Sequence, residues 1–213
     1  MIDMTGVLTT LASKRPIFHS EADFQHALAW EIHERWPSRS IRLERRPPHL
    51  HGRIYLDIWA EDSDTILAIE LKYKTRRLSV DVGDETFDLL DQAAQDVGRY
   101  DFLTDVARLE QIVSGRNDIT GSAIFLTNDS AYWKPPRDEQ TVDASFRIHQ
   151  GRVVTGELRW GSSASAGTMR GREEPIVIRG VYSLDWRDYS EPTDLPYGRF
   201  RYLLVKVERD HRL

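Results

Sequence analysis

The sequence predicts an α/β fold with the element order α-β-β-β-α-β over residues 20–130 and a strand-rich extension over 131–213. Three observations carry this. A capped amphipathic pattern begins at Ser20. Two alternating apolar runs, 53–60 and 65–74, flank the polar stretch Glu61–Asp64. A long helical pattern over 86–113 then leads to the buried run SAIFL at 122–126.

Residues 1–19 read as a loose lead-in. Ser20 is a good N-cap, Glu21 and Asp23 suit a first helical turn, and Pro37 and Ser38 stop the helix near Trp36. Phe24, Leu28 and Ile32 form its apolar stripe, with Glu21 at the N-terminal end and Glu31 at the edge. Ile41–Arg46 is an arginine-rich strand candidate. Pro47, Pro48 and Gly52 then force a loop, whose His49 and His51 are either ligands or plain loop histidines.

The paired runs Arg53–Ala60 and Thr65–Lys74 form a hairpin. Strand faces alternate, so Glu70 and Lys72 share one face. A two-residue loop at Asp62-Ser63 or a four-residue loop at Glu61–Asp64 pairs Asp57 with Ala68. Either places Asp57 and Glu70 on one face as diagonal neighbours, about 7–8 Å apart at Cα. An odd-length loop without a bulge puts them on opposite faces.

Arg76–Glu85 reads as a charged connection. Over Thr86–Val113, Phe87, Leu90, Ala94 and Val97 make one helical stripe, and Phe102, Val106, Leu109 and Val113 a second, with a kink expected between Gly98 and Asp101. Gln92, Gln95 and Arg99 fall on one polar flank, able to reach a ligand or simply wet. After the 122–126 strand come Thr127-Asn128-Asp129 and Tyr132-Trp133-Lys134. Further on, 144–149 and 152–160 suggest a hairpin turning at Gln150-Gly151. Residues 161–175 are Gly/Ser-rich and read as mobile, and 176–186 and 199–207 as two more strands.

The 213 residues suit one domain with a sizeable core. The absence of cysteine excludes disulfides, thiolate zinc sites and cysteine nucleophiles. No signal peptide and no membrane-spanning run is apparent, so the expected location is the cytoplasm. The net charge of −5 argues against a protein held on nucleic acid by bulk charge. The distribution is uneven. Residues 35–53 hold six arginines against Glu44, and Lys72, Lys74, Arg76 and Arg77 follow. Residues 81–110 hold nine acids against Arg99 and Arg108. These charge runs are either solvated faces or a nucleic-acid side and a protein-partner side.

Asp57, Glu70 and Lys72 are the chemistry-bearing residues. Two carboxylates can hold a divalent cation that keeps several waters, with the Leu71 carbonyl close by in the same strand as Glu70. A lysine on the same face can orient water or stabilise charge building on phosphorus.

Glu21, then Asp57, then Glu70-Leu71-Lys72 in successive elements resembles the PD-(D/E)XK nuclease superfamily, with Leu56 where the family name has proline. The resemblance covers about half the chain. It implies a restriction-endonuclease-like α-β-β-β-α-β core with a mixed central sheet, and a nuclease using Mg²⁺ (or Mn²⁺) on DNA ahead of RNA. It assigns Asp57 and Glu70 to the metal, Lys72 to cleavage, and Glu21 to an outer metal position. Arg45, Arg46, Arg53, Lys74, Arg76, Gln95 and Arg99 are the candidate nucleic-acid contacts. A catalytically silent module of the same fold, binding nucleic acid or a protein through the 81–110 helix, is the alternative, and a homodimer is compatible with either.

Overall fold

The computed structural model of the chain describes residues 2–47 and 54–209. The expected lead-in contains a helix, α1 (Met4–Lys14). Met4, Val7, Leu8 and Leu11 recur at helical spacing and are buried. In α2 (Glu21–Arg35) the Ser20 side chain accepts from the Asp23 N–H at 3.1 Å, and Phe24, Leu28 and Ile32 are fully buried.

Three antiparallel neighbours follow: β1 (Ser40–Arg45), β2 (Leu56–Glu61) and β3 (Ile66–Lys74). The β2–β3 ladder starts at Glu61↔Ile66 and runs to Ile58↔Ile69, so Ala68 faces Trp59, not Asp57. The reason is the turn at 62–65. Asp62 Oδ1 accepts from the Asp64 N–H at 3.0 Å and the Thr65 N–H at 2.8 Å, and the Asp62 N–H reaches the Thr65 carbonyl at 3.0 Å. This side-chain-capped turn lies one residue later than the expected loop, which moves the register by two. Faces are therefore preserved, and continuing the ladder puts Asp57 directly opposite Glu70.

The charged connection and the expected first helical turns are a hairpin instead, β4 (Leu78–Val82) with β5 (Glu85–Leu89), turning at Gly83 with φ 61°. Phe87 and Leu89 alternate onto its buried face, and Leu90 is exposed. Their spacing imitates a helical stripe. The helix α3 (Gln95–Ser114) begins after Ala94, whose φ of 69° breaks any earlier helical run. It passes Gly98 without the expected break. A Cβ at Gly98 would stand 2.5 Å from the Tyr132 hydroxyl, so this glycine serves close packing. The acidic 81–110 stretch is thus divided between a hairpin and a helix, and its Asp105 and Glu110 are buried. It does not present the single acidic helix expected to meet a protein partner.

β6 (Ile119–Thr127) runs parallel to β3, from Ile66↔Ile119 to Lys74↔Thr127. Residues 144–146 form a 3₁₀ turn where a strand was expected. β7 (Val153–Leu158) pairs across a long connection with β8 (Ile176–Ser183), so no hairpin forms at Gln150-Gly151. The connection carries a short helix, α4 (Ala166–Met169). The expected strand over 176–186 is two strands in different sheets, because β9 (Trp186–Ser190) leaves β8 and pairs with β10 (Phe200–Val207).

The result is an α/β architecture with a mixed six-stranded sheet in the order β1-β2-β3-β6-β10-β9. The β3–β6 pair is parallel and the other pairs antiparallel. The C-terminal residues therefore supply two strands of the central sheet. Helices α1 and α2 cover one face, with Leu67, Ile69, Leu71 and Tyr73 of β3 beneath them. Helix α3 and the β7–β8 pair cover the other, over Trp59, Ala68 and Phe125. Strand alternation then sends Glu70 and Lys72 toward α3. No helix among the described residues is long and apolar enough to cross a membrane.

Candidate active site

Asp57, Glu70 and Lys72 converge on one cleft of about 480 Å³ between the β2–β3 pair and α3. Their placement follows from the register, and α2 fixes it from behind the sheet. The buried Gln25 donates through Nε2 to the Asp57 carbonyl at 2.7 Å and to Glu44 Oε1 at 2.9 Å. Glu21 Oε2 accepts from the Tyr73 N–H at 2.7 Å. Helix α2 thus grips both strands of the site by polar bonds to their main chains.

Inside the cleft each motif residue has a partner. Asp57 Oδ2 accepts from the Leu71 N–H at 2.5 Å. Glu70 Oε1 accepts from Arg108 Nη1 at 2.6 Å. Lys72 Nζ lies 2.5 Å from Asp105 Oδ2 and donates to the Leu71 carbonyl at 3.2 Å. Arg108 Nη1 also lies 3.1 Å from Asp105 Oδ1. Both Asp105 and Arg108 come from α3. Tyr55, Asp101, Thr104, Arg170 and Arg172 complete the outer walls.

Electrostatics in the cleft are dominated by burial. Burial pushes the Asp57 carboxyl up to about 6, with Asp105 and Glu21 adding to it against the Leu71 N–H and Lys72. Burial likewise raises Glu70 to about 8. Asp105 and Asp57 add to that, and together these effects outweigh the stabilising Arg108 guanidinium. Asp105 is raised by burial against the pull of Lys72 and Arg108. Burial opposes the charge on Lys72, but Asp105, Glu21 and Asp57 reverse this and hold its ammonium well above the usual lysine range. At neutral pH Lys72 is a fixed cation.

The donors suit a hard cation. Asp57 and Glu70 each commit one carboxylate oxygen to the bonds just given, leaving Asp57 Oδ1 and Glu70 Oε2, with the Leu71 carbonyl next in the strand. Magnesium takes one or two carboxylates and keeps its waters, which this set matches. Its oxygens suit Mg²⁺ or Mn²⁺ and offer nothing to a thiophilic metal. No group of three or more His, Asp or Glu side chains arranged to hold a metal occurs among the described residues.

The other expected site residues are dispersed. Glu21 does not line the cleft; it meets the β3 backbone. Arg45 stacks on Trp59 at 4.6 Å and pairs with Glu61 at 3.0 Å. Arg46 is exposed and Lys74 half-buried. Arg76 pairs with Asp91 at 2.5 Å and lies over Tyr197. Gln95 donates to Asp129 Oδ2 at 2.8 Å. The wet flank expected for Arg99 is corrected: it is buried, paired with Asp143 at 2.6 Å and bonded to the Ala131 carbonyl. Asn128 pins the Arg76 and Tyr197 main chains, and Tyr132 is buried. Arg53, His49 and His51 lie outside the described residues.

Sequence reasoning missed Asp105, Arg108, Arg170 and Arg172. The signal for the first two was two charged residues three apart on the flank of the Phe102–Val113 stripe. The signal for the others was an arginine pair in the Gly/Ser-rich connection. Comparison with protein-family models, curated proteins and solved structures finds no match to this chain.

Proposed function

We propose that the chain is a divalent-cation-dependent nuclease that hydrolyses phosphodiester bonds of nucleic acid, DNA ahead of RNA. The observation that carries this reading is the meeting of Asp57, Glu70 and Lys72 in one solvent-open cleft. Asp57, Glu70 and the Leu71 carbonyl would hold Mg²⁺ or Mn²⁺, which supplies Lewis-acid charge and lowers the pKa of water.

The chain's own groups do the rest. Lys72 keeps its proton, so it serves as a fixed positive charge facing the phosphoryl oxygens and not as a base. Asp105 holds that ammonium in place. Gln25 and Glu21 fix the two strands so that the carboxylates keep their mutual position. Arg170, exposed on the outer wall, and Arg172, anchored to Asp101 by bonds of 2.8 and 3.1 Å, offer guanidinium groups to flanking phosphates. The basic residues Arg45 and Arg46 extend this toward the β1 edge. DNA stands ahead of RNA on the resemblance alone.

The test compares wild type with Asp57→Ala and Lys72→Ala on supercoiled, linear and single-stranded DNA and on RNA, with Mg²⁺ or Mn²⁺. Cleavage by wild type that both substitutions abolish supports the reading. Cleavage that survives both removes it.

One observation favours a second reading. The Glu70–Arg108 and Lys72–Asp105 pairs satisfy the cleft internally, as a catalytically silent nucleic-acid-binding or protein-interaction module would require. That reading expects no calorimetric Mn²⁺ binding by wild type.

A further inference from the structure

Arg108 places one guanidinium nitrogen between two carboxylates from different elements. Nη1 lies 2.6 Å from Glu70 Oε1 on β3 and 3.1 Å from Asp105 Oδ1 on α3. The Glu70 side chain is 3% exposed and that of Arg108 is 25% exposed, so the acid lies at the floor of the cleft and its partner reaches solvent. Glu70 is also one of the two carboxylates offered to a cation. With Arg108 on Oε1, a divalent ion taking Oε2 would stand one carboxylate away from a fixed guanidinium charge, so the two cations compete for Glu70.

We infer that Arg108 is the resident counter-ion of the cleft. It occupies Glu70 Oε1 until a divalent cation displaces it, and it thereby sets the affinity for that cation. The inference rests on the reading of Asp57 and Glu70 as cation ligands. It adds a residue that the Asp57/Glu70/Lys72 pattern does not contain. Two features make displacement practicable. Asp105 gives the guanidinium a partner to keep after it leaves Glu70, so no charge is orphaned. The exposed part of the side chain lets it turn outward without repacking the core. A ligand that must first displace an occupant binds with an affinity reduced by the fraction of sites already vacated.

The test is Mn²⁺ binding to the full chain by calorimetry, without nucleic acid, for wild type, Arg108→Gln, Arg108→Lys and Glu70→Gln. Arg108→Gln is expected to bind Mn²⁺ about tenfold more tightly than wild type, the scale of one charge-assisted hydrogen bond removed from the competition. Arg108→Lys, which keeps the charge, should remain near wild type, and Glu70→Gln should lose binding. Equal or weaker binding by Arg108→Gln, with binding still lost in Glu70→Gln, overturns the role of Arg108 and leaves the cation site standing. No Mn²⁺ binding by any protein overturns the cation-site reading and this inference with it. A measurement on wild type covers the case in which Arg108→Gln does not fold. The Arg108 Nε–Hε NMR resonance should shift on titration with Mg²⁺ and saturate with the calorimetric curve. A resonance unmoved at saturating Mg²⁺ overturns the displacement.

Discussion

Lys72 of β3 and Asp105 of α3 form an ion pair at 2.5 Å that ties the strand to the helix at the floor of the cleft. Both side chains are largely buried, at 17% and 6% exposure, so removing one partner leaves the other desolvated and uncompensated. Asp105→Asn is expected to destabilise the fold by about 3 kcal/mol, read from urea midpoints. Lys72→Met combined with it should recover part of that loss, since the double change leaves no orphaned charge. A double variant as unstable as the sum of the two singles would rule out this coupling.

The carboxyls of Asp57 and Glu70 set a pH dependence. Their ordinary values are 3.8 and 4.5, and in the folded chain they rise to about 6 and about 8. Between those limits the folded chain holds protons that the unfolded chain has released, so stability falls as pH rises. The contribution is fully present below about pH 4 and is lost as pH passes 6 and then 8. In EDTA the loss should reach at most about 8 kcal/mol over this window, at about 1.4 kcal/mol for each tenfold gain in a carboxyl's proton affinity on folding. Asp57→Asn should flatten the lower part of the profile. Mg²⁺ should reverse the loss at high pH, because it binds the deprotonated carboxylates. A metal-free chain that gains stability from pH 4.5 to 8 relative to Asp57→Asn contradicts this account.

Arg170 stands on the outer wall of the cleft and is exposed. As a phosphate contact it contributes to the salt dependence of nucleic-acid binding. Arg170→Ala should reduce the slope of log K against log salt by about 0.7 on single strands or about 0.9 on duplex, with an unchanged melting temperature. Arg170→Lys should retain the slope. An unaltered slope in Arg170→Ala would show that this wall does not meet the backbone.

Glu21 does not line the cleft but holds the β3 backbone through the Tyr73 N–H and acts electrostatically on Asp57 and Lys72. Glu21→Ala should leave calorimetric Mn²⁺ affinity within a few-fold of wild type and lower kcat about tenfold, the low end for a residue that orients others. Glu21→Gln, whose amide oxygen can still accept from Tyr73, should recover most of the rate. Loss of Mn²⁺ binding in Glu21→Ala would make Glu21 a direct ligand.

Much of this arrangement was legible in the chain. Strand alternation and an even turn were enough to put Asp57, Glu70 and Lys72 on one face. That conclusion survived a register error, because an even-length turn keeps the faces whichever pair comes first. The error came from Asp62, whose side chain captures the 62–65 turn, a local hydrogen bond that hydrophobic pattern does not report. The β4–β5 hairpin was hidden because Phe87 and Leu90 are spaced like neighbours on a helix, although Leu78, Val80 and Val82 alternate as a strand. Helix α1 is written in the spacing of Met4, Val7, Leu8 and Leu11, although Asp3 at its N-terminus makes no side-chain cap bond. Asp105 and Arg108 were out of reach for a different reason. Which flank of α3 faces Glu70 depends on how α3 is rotated against the sheet, and that is fixed by packing residues such as Phe102 and Leu109, far from Glu70 in sequence.

Helix α1 packs on α2, and it and the segment after it also meet β9, far along the chain. The Arg15 carbonyl accepts from the Tyr189 hydroxyl at 2.9 Å, Ser190 donates to the Pro16 carbonyl, and Arg187 reaches Thr5. During synthesis the first helix therefore leaves the ribosome well before β9, the strand that completes its seat. At ordinary elongation rates of about 5–20 residues per second, the roughly 170 residues between them correspond to about 10–30 s in which α1 can pack on α2 but not on β9. The α1–α2 pair can thus form early, and closing the segment after α1 onto β9 is a late event in folding.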